Sequence, residues 1–328
     1  GYCTAAEDFQ DARRVCEELA IPLHRVDFSK EYRERVFSHF LADYAAGKTP
    51  NPDILCNREV KFQPFRDYAL RLGADFIATG HYARIEQHDD GPQLLRAVDD
   101  NKDQTYFLAG VARAQFERVL FPLGALTKPE VRAIAARAGL AVHRKKDSTG
   151  ICFIGEREFR AFLARYLQPD PGVIVDDAGH PIGRHQGLMY YTLGQRQGLG
   201  IGGVKGAREA PWYVIGKDAA HKALIVSQDP QHPRLMAQSL IASPFNALAA
   251  LPDDGRPLQA RIRHRGALAP CRIKRDEAGL SIRFETPQRA AVVGQFCVLY
   301  DGQRCLGGGE IAFTETMGRE HGLVAHAR

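Results

Sequence analysis

Residues 74–80 read ADFIATG, a short apolar run stopped by a glycine, which is the pattern of a buried strand. Helical spacing lies on both sides of it. Upstream, residues 5–20 (AAEDFQDARRVCEELA) and 30–47 (KEYRERVFSHFLADYAAG) repeat apolar side chains at helical intervals, with the strand-like run IPLHRVDF between them. Residues 61–72 predict a further helix, in which Pro64 is tolerable only in the first turn. Downstream, Thr127-Lys-Pro-Glu130 is a capping box, and the helix it opens should end near Gly139. Strand–helix alternation of this kind predicts an α/β domain with a parallel sheet and helices on its faces. Ligands of such sheets gather at the carboxyl ends of the strands, where ATGHY (78–82) would sit.

The pattern changes after about residue 168. Residues 183–206 carry eight glycines and lose helical periodicity. From about 211 onward come WYVIG, ALIVS, RIRHR, LSIRFE and QFCVLYDGQRCLGG, alternating runs between turn residues that predict small antiparallel units and a barrel. The 328 residues are enough for two or three domains of about 100–200 residues. Hydrophobic residues at 45% and charged residues at 25% give the balance of a soluble globular chain. No apolar run reaches the ~18 residues of a membrane span and no signal segment opens the chain, so a cytoplasmic protein without membrane contact is expected. Lys plus Arg (44) exceeds Asp plus Glu (39) only slightly, so net charge alone does not require a nucleic-acid partner.

Seven cysteines, at 3, 16, 56, 152, 271, 297 and 305, are odd in number, widely spaced and without a C-x-x-C pair. Neither a disulfide framework nor a metal site is suggested. Two of them stand in distinctive settings. In GKTPNPDILCN (47–57), Pro50 and Pro52 stiffen the chain, so that the Asp53 carboxylate and the Cys56 thiol are presented from a restrained loop. In KKDSTGICFIGEREF (145–159), Arg144 and two lysines precede Cys152, and cationic neighbours favour the nucleophilic thiolate. On the residues alone, a structural turn and an ordinary packed cysteine fit these stretches equally well. Spacing cannot show that the two meet; a pair that did would suit sulfur transfer, one carrying a persulfide and the other resolving it.

GLGIGG (198–203) matches G-x-G-x-x-G literally, but no strand precedes it and no helix start follows, so it reads as a glycine-rich loop and not a dinucleotide site. Residues 256–275 hold seven Lys or Arg and no Asp or Glu. On a strand, Arg261, Arg263 and Arg265 would share one face, which favours phosphate binding over a merely solvated surface.

TPNPDILCN, FIATGHY, NKDQTYFL, KKDSTGICFIGEREFR, HQGLMYYTLGQRQGLGIGG, PWYV and CLGGGEI, in that order and at those spacings, resemble the tRNA-specific 2-thiouridylase family from Tyr2 to Gly309. The resemblance implies an ATP-pyrophosphatase domain of the adenine-nucleotide hydrolase type (1–158), a small central tRNA-contacting domain (159–222) and a C-terminal β-barrel that binds tRNA (223–328). It implies a sulfurtransferase that replaces the C2 oxygen of the wobble uridine, using ATP with Mg2+ to adenylate that oxygen. The attacking group would be a persulfide on Cys152, loaded by a sulfur-carrier protein, and Cys56 would complete sulfur release and leave a Cys56–Cys152 disulfide. By the same motif matches, Asn51, Pro52 and Asp53 would touch the target base, with Asp53 as acid/base. His81, Lys102, Asp103, Gln104, Arg263, His264 and Gln295 would contact tRNA, Gly80 would border the nucleotide, and the protein would act as a monomer. Members of the family open with a strand and a phosphate-gripping loop, S-G-G-x-D-S-S. No such loop occurs here, so the chain is expected to lack its natural N-terminus, and residues 1–328 alone should not adenylate tRNA. Two other readings compete. A thiol redox enzyme would be indifferent to tRNA, and a non-catalytic RNA-binding module, a remnant without its ATP loop, would be eliminated by a gene sequence that extends upstream through S-G-G-x-D-S.

Overall fold

A computed structural model of the chain describes residues 5–145, 159–204, 206–318 and 320–322. By backbone contacts the chain divides into two units: Gly1–Ser38, Pro52–Leu163 and Gln303–Cys305 in the first, and His39–Asn51, Ala164–Gly302 and Leu306–Arg328 in the second.

In the first unit, β1 (Ile77–Ala78), β2 (Ala83–His88), β3 (Gly91–Arg96) and β4 (Val119–Leu120) form two small sheets. β1 and β4 pair in parallel, Ile77 opposite Val119, so ADFIATG does contain a parallel strand. Its side chains alternate between buried Ile77 and Val119 and exposed Ala78 and Leu120. β2 and β3 form a hairpin turned at Asp89–Asp90, and Arg304 pairs with Leu95 at its edge. The helix Ala5–Glu18 forms as its spacing predicts. The capping box is also present: the Thr127 backbone N–H donates to Glu130 Oε2 at 2.7 Å, opening the helix Lys128–Arg137, and Gly139 closes it at φ +74°.

Two expectations fail here. IPLHRVDF forms no strand; Ile21 and Leu23 remain exposed, and an apolar run becomes a strand only against a partner edge. The helix expected over 61–72 instead runs from Pro52 to Arg71 with Pro64 in its interior. Residues Asn57–Phe65 are wound as a π-helix, whose wider turn accommodates a residue that has no N–H to donate.

The second unit contains a four-stranded sheet and a barrel. β5 (Gly172–Val175), β6 (Pro181–His185), β7 (Tyr213–Asp218) and β8 (Ala223–Ser227) are ordered β6-β5-β8-β7, with only β5 and β8 parallel. Ile174, Val214, Leu224 and Val226 fill its core. β9 (Met236–Ala247), β10 (Leu258–Arg261), β11 (Ala269–Asp276), β12 (Gly279–Arg289), β13 (Phe296–Asp301) and β14 (Arg304–Thr316) run β13-β10-β11-β12-β9-β14, and β13 also pairs with β14, closing a six-stranded barrel. A short strand, β15 (Glu320–Gly322), adds to β14. Period-two alternation turns Leu240, Ala242, Leu258, Ala260, Leu280, Ile282 and Leu299 into the barrel core. In β14, Gly307 has φ +126°, and a Cβ there would stand 2.0 Å from the Asn246 carbonyl oxygen. Gly307→Ala is expected to lower stability by about 2–3 kcal/mol, read from the midpoint of denaturant unfolding; a change below about 0.5 kcal/mol would show that the strand yields freely.

RIRHR is not a strand throughout. β10 ends at Arg261, and 262–265 form a bend and turn in which Arg265 has φ +61°, so the expected ladder of three arginines on one face does not exist. Arg261 is buried, its guanidinium 5.4 Å from the centre of the Tyr300 ring. Nor is the region free of acids in space: Arg256 pairs with Asp301 of the neighbouring β13 at 2.9 Å, and Arg272 donates to the Gly255 carbonyl.

Candidate active site

The segment carrying Asp53 and Cys56 is bounded by two backbone devices. The helix Ser38–Ala45 is stopped by Gly47 at φ +77°, whose N–H returns to the Tyr44 carbonyl at 3.0 Å. Pro52, buried, then begins the next helix, where its missing N–H costs nothing. In the helix Pro52–Cys56, Ile54 is fully buried while Asp53 and Cys56 are half-buried. Three residues apart on one helix, they project from the same face. The next residue, Asn57, is 2% exposed and donates to the Phe107 carbonyl at 3.1 Å, tying this helix to the helix Thr105–Leu108.

The chain leaving β1 passes Thr79, exposed Gly80 and His81. The His81 ring is buried among Phe62 and Phe121 at centroid distances of 5.8 and 6.0 Å, and Nδ1 lies 2.7 Å from Thr79 Oγ1. Burial, helped by the Lys61 charge, pushes its pKa down to about 3, so it is neutral at physiological pH. Between pH 6.5 and 3 the unfolded chain therefore binds a proton that the folded chain refuses, and stability is lost as pH falls through that window. His81→Gln should remove this response. The stability difference between wild type and variant is expected to narrow by about 2 kcal/mol from pH 7 to pH 5, and a constant difference would contradict the assignment.

The KDQ segment is a knot. Asp103, 1% exposed, accepts from the Thr105 hydroxyl at 2.9 Å and from the Ala97 and Thr105 backbone N–H groups, with the Arg96 guanidinium 3.8 Å away. Gln104 accepts from the Tyr82 N–H at 2.9 Å while its own N–H donates to the Tyr82 carbonyl. Lys102 is half-buried beside them. The structure thus brings His81, Tyr82 and 102–105 together, and ties the helix bearing Cys56 to the segment after them. Cys152 lies outside the described residues. Of the cations upstream of it, Lys145 is engaged by Asp8 and Asp11 at 2.7 and 2.6 Å, and their hydrogen bonds hold its pKa above the usual lysine value.

In the second unit, Arg263 is exposed and donates through Nη2 to the Ala290 carbonyl at 2.7 Å; His264 beside it is half-buried. Gln295 donates its amide to the Thr49 carbonyl at 2.7 Å, just before Asn51. Sequence reading missed two features. GLGIGG lines a cavity of about 690 Å3 together with Arg196, Arg208 and Trp212, and Gln228 holds the loop by three hydrogen bonds to Arg208 and Ala210. Lys48 pairs with Glu310 at 2.6 Å across 262 residues of sequence, a contact with no local signal. Among the described residues no helix is long and apolar enough to cross a membrane.

A small parallel sheet under helices, a four-stranded sheet and a closed barrel define a modular chain of the HUP class, and family models match it in that order. They are described as a tRNA methyl transferase HUP domain (residues 1–156), a tRNA methyl transferase PRC-barrel domain (160–228) and an aminomethyltransferase β-barrel domain (237–311). The chain is 53% identical over 315 residues to the tRNA-specific 2-thiouridylase MnmA of Pseudomonas savastanoi pv. phaseolicola, covering 96% of this chain and 84% of the relative. It is 54% identical over 318 residues to the MnmA of Pseudomonas fluorescens, with the same coverage. The chain belongs to the tRNA-specific 2-thiouridylase family.

Proposed function

We propose that this chain transfers sulfur to C2 of the wobble uridine of tRNA. The identity of more than half its residues with proteins named for that activity carries the reading, and the placement of Asp53 and Cys56 three residues apart on one helix supports it. A persulfide on Cys152, loaded by a carrier protein, supplies the attacking sulfur; its terminal sulfur bonds to C2 as the activated oxygen departs. The Cys56 thiolate then attacks the Cys152 sulfur, freeing the thiocarbonyl and leaving a disulfide that two electrons from a reductant reopen. Asp53, with Asn51 and Pro52, meets the base and holds or moves the proton. ATP, when bound, supplies activation of the C2 oxygen. Gly80 fits a nucleotide neighbour, because it is exposed and a Cβ there would find nothing nearer than Leu123 at 4.0 Å. No stretch of the form S-G-G-x-D-S-S occurs in residues 1–328.

Asp103 and Gln104 serve this site by shaping the loop beside His81, while Lys102, Arg263 and His264 are the groups nearer a tRNA surface. Arg263→Ala is expected to weaken binding of all substrate tRNAs alike, by about 1–2 kcal/mol, and to lower the slope of log K against log salt by about one unit. Coincident salt titrations of wild type and variant would remove Arg263 from the interface. The function itself is tested by ATP-dependent incorporation of labelled sulfur into tRNA by the gene-encoded chain with a persulfide donor. Transfer of a methyl group in place of sulfur, or thiol turnover indifferent to tRNA, would overturn it.

A further inference from the structure

Segment 47–51 leads to Asn51 within the second unit, and other parts of that unit grip it at several points. The Thr49 N–H donates to the Val293 carbonyl at 3.1 Å, and Gln295 Nε2 donates back to the Thr49 carbonyl at 2.7 Å, with the Pro50 carbonyl at 3.5 Å. Thr49 Oγ1 lies 3.3 Å from Thr192 Oγ1, and Lys217 Nζ donates to the Gly47 carbonyl at 3.3 Å. The turn that receives the segment is itself fixed to β14: the Gly294 N–H donates to the Ile311 carbonyl at 3.0 Å and the Ile311 N–H to the Gln295 carbonyl at 2.7 Å. Gly294 has φ +92°, and a Cβ there would stand 2.9 Å from both Lys48 Cβ and the Thr49 nitrogen, so the two backbones touch.

Beside this contact, Lys48 Nζ lies 2.6 Å from Glu310 Oε1 and 3.4 Å from Asp43 Oδ1, all three side chains about one-quarter exposed. Burial alone would pull the Lys48 ammonium pKa down. The Glu310 and Asp43 carboxylates more than offset this and hold it above the usual lysine value.

We propose that Lys48 and Glu310 are positioning residues: with Gln295 and Gly294 they latch segment 47–51 to the barrel within the second unit, and so set the point from which Asn51 meets the uridine. The latch rests on the thiolation reading given above. Its reach follows from Pro50, which locks φ directly between Thr49 and Asn51 and leaves few soft torsions through which an error could be absorbed. A shift at Thr49 is therefore carried to Asn51, and misplacement by ~1 Å of a group that holds the base can cost about 100-fold in rate.

The test uses the gene-encoded chain with Lys48→Met, Glu310→Gln, the double variant, and Lys48→Arg. Four quantities are read: the single-turnover rate of tRNA thiolation at saturating tRNA, the tRNA Kd, the unfolding midpoint, and hydrogen exchange at the Thr49 amide. Lys48→Met and Glu310→Gln are each expected to slow the rate about 10- to 100-fold with tRNA Kd changed by less than about two-fold. Both should speed exchange at Thr49. The double variant should be no slower than the worse single, because both act through one contact, and Lys48→Arg should recover most of the rate. Unchanged rates in the single variants, additive slowing in the double, or a loss accounted for by weaker tRNA binding or by unfolding would each overturn the latch. A wild-type chain that moves no sulfur into tRNA overturns the thiolation reading instead. Exchange at Thr49 judges the grip on the segment independently: protection unchanged in both single variants overturns it.

Discussion

Replacing Cys152 or Cys56 by serine is expected to abolish sulfur transfer to tRNA while tRNA affinity stays within about two-fold and the fold is kept. The reason is chemical. A hydroxyl is hardly ionised near neutral pH, can carry no persulfide, and cannot open one by exchange. Cys56 is half-buried, so serine in its place leaves no large cavity and little unsatisfied polarity. The barrel cysteines are the controls. Burial pushes the Cys271 thiol up to about 12 and raises that of Cys297 as well, so neither forms a thiolate at working pH. Cys271→Ser should therefore keep full turnover and cost only about 1–3 kcal/mol of stability. Labelled-sulfur incorporation decides the matter: near-normal turnover by Cys152→Ser would sink the persulfide mechanism, and by Cys56→Ser the resolving role alone.

Asp103→Ala is expected to destabilise the protein by about 3–5 kcal/mol, measured by denaturant unfolding. The carboxylate is buried and gathers the Thr105 hydroxyl and two backbone N–H groups, with the buried Arg96 guanidinium close by. Alanine would strand those donors away from water. Asp103→Asn keeps an acceptor and should cost less, about 1–2 kcal/mol. A loss below about 1 kcal/mol for Asp103→Ala, accompanied by weaker tRNA binding, would show instead that Asp103 serves chiefly as a direct tRNA contact.

What the sequence could foretell followed the range of each interaction. The helix opened by Thr127 and Glu130 was legible because both ends are written within about a dozen residues. The barrel strands that were legible were so because burial on one face imposes a period of two, as in Leu280, Ile282 and Phe284 of LSIRFE. The Arg261–Arg265 ladder failed because periodicity does not announce where a strand stops, and the chain turns directly after Arg261. The acid-free field failed because Asp301 reaches Arg256 across strands, outside any local window. For the same reason the motifs of the site were legible but not their surroundings: that Asp103 is enclosed, and that Lys48 meets Glu310, depends on folding.

The π-helix Asn57–Phe65 has a consequence for chains that gain or lose residues. Each residue there turns the chain through less than the ~100° of an α-helix, so the segment holds surplus winding. A deletion within it can be absorbed by tightening to α-helix, leaving Asp53, Cys56 and Tyr68 in their present phase. The same deletion in the flanking α-helical turns, where there is no surplus, would rotate one side of the helix against the other and swing Phe62 away from His81 or Cys56 away from Asn57's anchor at Phe107. Length variation in this helix should therefore gather around Pro64.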